Sequence, residues 1–308
     1  MTLFLPEALP CLPQLREEGL DIAEVASASE APASALHIGI LNLMPDKIAT
    51  EVQLIRMLAH DRHDVAVTLF ATSAYMDRAR QPDYRSANTP VEHLRTFYRS
   101  FAEVREEDFD GLIITGAPVE QVPFEDVPYW GEMEQILDWI AQRHLRVFSI
   151  CWGAQAALKH YHGMPKHVLD AKRFGVFSHV VLESGSMLHG VSAPFDVPVS
   201  RHSETRREDL PADTGLLVLA ESSEAGICLL EDPASGRVYM LNHLEYDADT
   251  LKREYDRDRM SGAEINLPRN YFPGDDDTAT PVARWQRDAR AFYGNWLDQI
   301  ARRRGTGP

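Results

Sequence analysis

Cysteine is scarce in this 308-residue chain: Cys11, Cys151 and Cys228 are the only three, with no CxxC spacing among them. An odd, sparse set argues against a disulfide framework or a structural zinc site, and no metal is expected. Long apolar runs are missing as well; the longest are strand-sized, well short of a membrane span. Basic charge is in deficit, 31 Lys and Arg against 47 Asp and Glu, for a formal net charge of −16. This balance disfavours non-specific binding to nucleic acid or to an anionic membrane, and leaves any small anionic ligand to local placement of Lys and Arg. The N-terminus has neither a basic start nor a sustained hydrophobic segment, so no secretory signal is expected and the cytoplasm is the expected location.

Alternating strand-like and helix-like pieces fill the first half of the chain. Residues 1–35, rich in Pro, Ala and Glu, read as an irregular arm. "LHIGILNLM" then reads as a strand buried on both faces. Ile48, Val52, Ile55 and Leu58 follow at helical spacing. "DVAVTLFAT", "FDGLIITGAP" and "LRVFSIC" are further strands. "TPVEHLRTFYRSFAEV" reads as one helix between them, with Thr89 as N-cap and Pro90 in its first turn. The pattern predicts right-handed βαβ units in an open, mostly parallel α/β sheet flanked by helices. After Gly163, short apolar runs separated by turns predict more sheet. A C-terminal helix is expected to carry Trp285, Ala289, Phe292 and Trp296 on one stripe, and residues 303–308 read as a tail. The "GDDDTATP" cluster reads as a solvated loop. One domain over residues 36–302 accounts for the pattern.

In such sheets ligands bind beyond the carboxyl ends of the strands. In "VFSICWGAQAAL" Cys151 stands at that place, between a strand and a helix. A thiol on this turn is expected to be exposed and shifted toward thiolate by the helix N-terminus. Gly153 and Ala154 permit a tight turn resembling a nucleophile elbow, and the Trp152 N–H points where an oxyanion develops. Taken locally, a nucleophile and a small core residue are equally good readings of Cys151. A base is needed, and "MLNHLEYD" offers His243 with Glu245 two residues on, on the same side of an extended segment.

The order Cys…His-x-Glu is that of class I glutamine amidotransferases, and the chain resembles that flavodoxin-like fold. "GLIITGAP" resembles the strand and loop that supply a second oxyanion N–H there, from Gly116 or Ala117. Four longer runs, "LNLMPDKIATEVQLIRML", "GLIITGAPVEQVPFEDVPYW", "CWGAQAAL" and "HLEYDADTLKREYDRD", strongly resemble the homoserine O-acyltransferase family. The likeness extends from Leu36 to the "NYFP…NWL" region. It implies ping-pong acyl transfer from an acyl-CoA to L-homoserine in methionine biosynthesis, with no permanently bound cofactor and a homodimer. Cys151 would be the acylated nucleophile, His243 the base and Glu245 its orienter. The resemblance also implies substrate binding by Lys172 and Arg257, a role for Ser203 in choosing the amino acid, and Lys47 at the rim holding the donor. In the family, glutamate at the position of Glu120 accompanies acetyl-CoA and glycine accompanies succinyl-CoA, so acetyl-CoA is the expected co-substrate. Two departures, the charged "HSETRRED" loop and Asn242 where glycine is common, keep serine open as acceptor. Succinyl transfer and a Cys-His-Glu glutaminase or hydrolase are the alternatives.

Overall fold

The computed structural model describes residues 1–212 and 214–305. β1 (Leu3–Pro6), α1 (Leu12–Glu17) and β2 (Ile22–Val25) come first. Then follow β3 (Leu36–Leu41), α2 (Lys47–Leu58), β4 (Val65–Ala71), α3 (Ser73–Ala79), α4 (Val91–Phe97), β5 (Arg99–Ser100) and α5 (Phe101–Val104). β6 (Gly111–Ile114), α6 (Trp130–Gln142), β7 (Arg146–Ile150) and α7 (Trp152–His162) complete the parallel part. β8 (His167–Val181), β9 (Phe195–Glu204), β10 (Leu217–Ser222), β11 (Gly226–Asp232), β12 (Arg237–Met240), α8 (Thr250–Met260) and α9 (Gln286–Gly305) finish the chain.

One sheet runs β2-β1-β4-β3-β6-β7-β12-β11-β10-β8-β9, with β5 added beside β4. It is parallel from β2 to β12 and antiparallel from β12 to β9. The sheet is therefore open and mostly parallel, as the alternating pattern predicts. Its central strands β3, β4, β6 and β7 are almost wholly apolar because helices cover both faces. This places the carboxyl ends of β3, β6 and β7 side by side, each followed by a turn.

Three sequence expectations change. Residues 1–35 are not an irregular arm: β1 pairs with β4, extending the parallel sheet, and Leu3, Leu5, Leu9, Leu12 and Leu15 are buried in the core. Each piece is too short for its period to stand out among the prolines. The single helix expected after Thr89 is two, because Tyr98 leaves the helix extended and Ser100 starts α5 with a capping box to Glu103. Thr89 caps neither; its hydroxyl accepts the Lys47 N–H at 3.1 Å and donates to the Pro45 carbonyl at 2.8 Å. Lastly, α9 continues to Gly305, into the expected tail, and residues 306–308 lie outside the described residues. Trp285, expected on the helix, precedes α9 and donates its indole N–H to the Tyr246 carbonyl at 2.9 Å; on α9 itself Tyr293 stacks on Phe148 of β7 at 4.6 Å, with Trp296 edge-on at 5.9 Å. Among the described residues, no helix is long and apolar enough to cross a membrane.

Candidate active site

Cys151 ends β7 and occupies the N-cap position of α7, with φ 50° and ψ −117°. A non-glycine residue pays strain to hold this backbone, and such outliers concentrate where geometry is functional. Two contacts hold the turn. The Cys151 N–H donates to the Met240 carbonyl of β12 at 2.7 Å. Gly153 lies so close to β6 that a Cβ there would sit 2.5 Å from the Thr115 carbonyl oxygen. A larger residue at 153 cannot make this approach.

Beyond β12 the chain brings His243 over the same spot. The Nδ1 of His243 lies 2.6 Å from Glu245 Oε1, both side chains are buried, and the ring of Tyr246 stacks on the imidazole at 4.2 Å. The His243 N–H donates to the Pro198 carbonyl at 3.0 Å, tying the segment to β9. Burial opposes charge on His243, yet the Glu245 carboxylate and the Cys151 sulfur together raise its pKa well above the usual imidazole range. Burial pushes the Cys151 thiol up, while the adjacent His243 and, more weakly, Arg201 pull it down. The expected exposed, helix-activated thiol is thus a buried one, 5% accessible. On balance burial wins and the thiol pKa is raised; the group that most favours its ionised form is the adjacent His243, not the helix terminus alone.

Gly116 completes the cluster from β6: a Cβ there would lie 3.3 Å from Cys151 Cβ and 3.6 Å from His243 Cε1. Trp152, first residue of α7, has no intrahelical acceptor for its N–H. Cys151, His243, Gly116, Ala117 and Glu120 line one cavity of about 330 Å³ with Lys172 and Arg257. Glu120 accepts the His202 N–H at 2.6 Å, and burial raises its carboxyl pKa despite that bond. Lys172 Nζ is 3.1 Å from Glu254 Oε2 and 3.2 Å from Asp258 Oδ2, over the Phe174 ring at 4.0 Å. Arg257 stands exposed at the mouth, its Nε donating to Asp258 at 2.7 Å.

Two anticipated residues do not reach the cavity. Ser203 is fully buried, and its hydroxyl donates to Gln155 Oε1 at 3.0 Å. Side chains alternate along β9, so Ser200 and His202 line the cavity while Arg201 and Ser203 point away. Lys47 does not line this cavity either, although it borders the adjoining one. Its ammonium is buried beneath the turn after β3, donating to the carbonyls of Asn42 at 2.6 Å and Met44 at 3.2 Å. Burial brings its pKa down to about 7, with Glu51 opposing. Both departures from the family pattern have local accounts. Asn42 aside, the other buried asparagine near the site, Asn242, donates to His179 Nε2 at 3.2 Å while His179 Nδ1 faces the Phe177 carbonyl at 2.9 Å. The "HSETRRED" loop is pinned by Arg206–Glu204 and Arg207–Glu221 pairs and contributes only His202 to the cavity lining.

The sequence gives weak notice of Glu254 and Tyr246. Glu254 gathers Lys172, Ser200 and the Tyr246 hydroxyl, the last at 2.8 Å. In the charged helix α8 it reads as one more surface carboxylate. Tyr246 follows Glu245 directly in the chain, and its place in the site shows only in the structure, through its stacking on His243 and its bond to Glu254.

Known proteins resemble this chain in sequence and in fold. The family model described as homoserine O-succinyltransferase matches residues 2–305. A homoserine O-acetyltransferase of Chelativorans sp. (strain BNC1) is 44% identical over 301 residues, 97% of this chain and 94% of that protein. One of Rhizorhabdus wittichii is 45% identical over 303 residues, 98% and 92% of the two chains. Among solved structures, a glutamine amidotransferase from Thermotoga maritima has a TM-score of 0.56 at 13% identity, over 88% of this chain and 99% of that one. One from Methylobacillus flagellatus has a TM-score of 0.53 at 14% identity, covering 87% and 95%. At these identities the structural likeness speaks for the fold, which is that of the class I glutamine amidotransferases. The match over nearly the whole length speaks for more: this chain is an acyltransferase and belongs to the homoserine O-succinyltransferase family.

Proposed function

We propose that the protein is a homoserine O-acetyltransferase working by a ping-pong mechanism through an acetyl-Cys151 thioester. The thiolate of Cys151 attacks the thioester carbonyl of acetyl-CoA, and the C–S bond to CoA breaks. The departing CoA sulfur takes the proton held by His243. The homoserine hydroxyl then gives its proton to His243 and attacks the acetyl carbon, and Cys151 leaves as thiolate. Each tetrahedral intermediate places negative charge on the former carbonyl oxygen, met by the N–H of Trp152 and by that of Gly116 or Ala117. Glu245 keeps Nδ1 of His243 protonated, so that Nε2 faces the sulfur.

The observation that carries this reading is the convergence of Cys151, His243–Glu245 and Glu120 on one cavity. Lys172 and Arg257, at the same cavity, are the cations for the amino acid carboxylate, and Glu254 is the acceptor for its ammonium. Ser200, rather than Ser203, is the serine that faces the acceptor. Glu120 favours acetyl over succinyl: a half-buried carboxylate in the acyl site crowds and repels a second one. The names of the relatives from Chelativorans and Rhizorhabdus support the same donor. Residence in the cytoplasm, a place in methionine biosynthesis and a homodimer complete the proposal. Steady-state kinetics with acetyl-CoA and succinyl-CoA, each against homoserine and serine, test it. Preference for the acetyl–homoserine pair is expected; ammonia release from glutamine without acyl transfer would replace it with the glutaminase reading.

A further inference from the structure

A second cavity, about 320 Å³, lies beside the first, beyond the carboxyl ends of β3 and β4. The two share Met44, Pro45, Pro118 and Val119, so a ligand held at Cys151 can extend across this seam. Its chemistry is unusual for this chain. No Asp or Glu lines it, although the protein carries 47 of them, whereas Arg78, Arg85 and Lys47 do. Among the described residues, neither Arg78 nor Arg85 has a carboxylate partner; Arg85 donates only to the backbone carbonyls of Pro82 and Tyr84. Three tyrosines, Tyr75, Tyr84 and Tyr129, supply aromatic faces on the same walls.

The opening on the other side differs. There Lys172, Arg257 and Arg269 line a larger cavity, but each is already paired, with Glu254 and Asp258, with Asp258, and with Glu224 respectively. A polyanion entering on that side must displace carboxylates; on the β3–β4 side it meets unpaired guanidinium groups, which suit phosphate oxygens. The geometry points to the β3–β4 cavity as the site for the phosphate-bearing nucleotide end of the CoA donor, with Arg78 and Arg85 pairing its phosphates and a tyrosine face receiving the adenine. Donor and acceptor would then approach Cys151 from opposite sides, and CoA would leave without crossing the amino acid site. This assignment rests on the acyl-CoA reading above.

The test compares acetyl-CoA with acetyl-pantetheine, which keeps the thioester and lacks the nucleotide. It uses the full chain and the variants Arg78→Glu and Arg85→Glu. Each variant is expected to raise KM for acetyl-CoA about tenfold, with kcat/KM for acetyl-pantetheine and KM for homoserine within twofold of wild type. The truncated donor also reports correct folding. Wild-type turnover with acetyl-CoA that is unchanged in both variants would overturn the assignment and leave the acetyltransferase reading standing. Equal losses with both donors would overturn it too. No turnover by the wild type with either donor would remove the acyl-CoA reading and this site with it.

Discussion

Nδ1 of His243 is 2.6 Å from Glu245 Oε1, a contact between residues two apart in the chain and both shut away from solvent. At that distance and burial the carboxylate fixes the tautomer of the imidazole and stabilises its protonated form. Glu245→Gln preserves shape and removes the charge. A fall in kcat of about 10²–10⁴-fold is expected, with the thermal midpoint little changed. Steady-state kinetics beside a thermal melt check this; activity within threefold of wild type would take Glu245 out of the mechanism.

Glu120 lines the Cys151 cavity, with its carboxylate held by the His202 N–H. Glu120→Gly removes both the bulk and the charge that oppose a succinyl group. The ratio of kcat/KM values, succinyl-CoA over acetyl-CoA, is expected to rise by about a hundredfold. An unchanged ratio in competition assays would show that donor choice resides elsewhere.

Glu254 ties Lys172, Ser200 and Tyr246 into one cluster on the wall of the Cys151 cavity. Glu254→Gln keeps the shape and weakens the charge-assisted bonds. KM for homoserine is expected to rise about tenfold or more, while the pre-steady-state rate of Cys151 acylation stays within a few-fold. Equal losses in both half-reactions would make Glu254 a scaffold residue instead of an acceptor-binding one.

Lys47 gives a pH signature of stability. Its pKa falls to about 7 in the folded protein, chiefly through burial, against about 10.4 in an unfolded chain. Between these values the unfolded state binds a proton that the folded state does not, so this group makes stability rise with pH over that window. Urea unfolding of wild type and Lys47→Met at pH 7 and at pH 9.5 isolates it. The variant should lack the part of the rise due to Lys47; identical pH slopes for the two proteins would contradict the depressed pKa.

Gly153 is the packing hinge of the elbow. Gly153→Ala forces a methyl group toward the backbone oxygen of Thr115 at 2.5 Å. A loss of about 1–3 kcal/mol is expected, with a larger proportional loss of kcat because the Cys151 turn shifts. Denaturant unfolding and kinetics read the two separately; an equally stable, fully active variant would show that the turn relaxes freely.

The residues that the sequence discloses best are those whose local pattern is strong. β3, β4, β6 and β7 are continuous apolar runs, and the Cys151 turn stands where one of them stops, so strand, turn and helix could be read together. β1 and α1 could not, because their buried leucines fall in pieces of four and six residues broken by proline. Ser203 illustrates a different limit. A position can be matched to a motif, but which face of β9 it takes depends on register against β8, and one step along the strand reverses it. Lys47 shows the converse: a lysine expected at the rim is buried under a loop, while Glu254, in a helix too charged to single it out, is the centre of a polar cluster. Tertiary packing decides both.

Acylation of Cys151 decides between nucleophile and buried thiol. The intact protein is exposed to acetyl-CoA without acceptor, digested and analysed by mass spectrometry, with Cys151→Ser as control. A single acetyl group on the Cys151 peptide, absent from the control and discharged by homoserine as O-acetylhomoserine, is the expected result. An acetyl group on any other residue that homoserine discharges, or rapid turnover by Cys151→Ser, would contradict the mechanism.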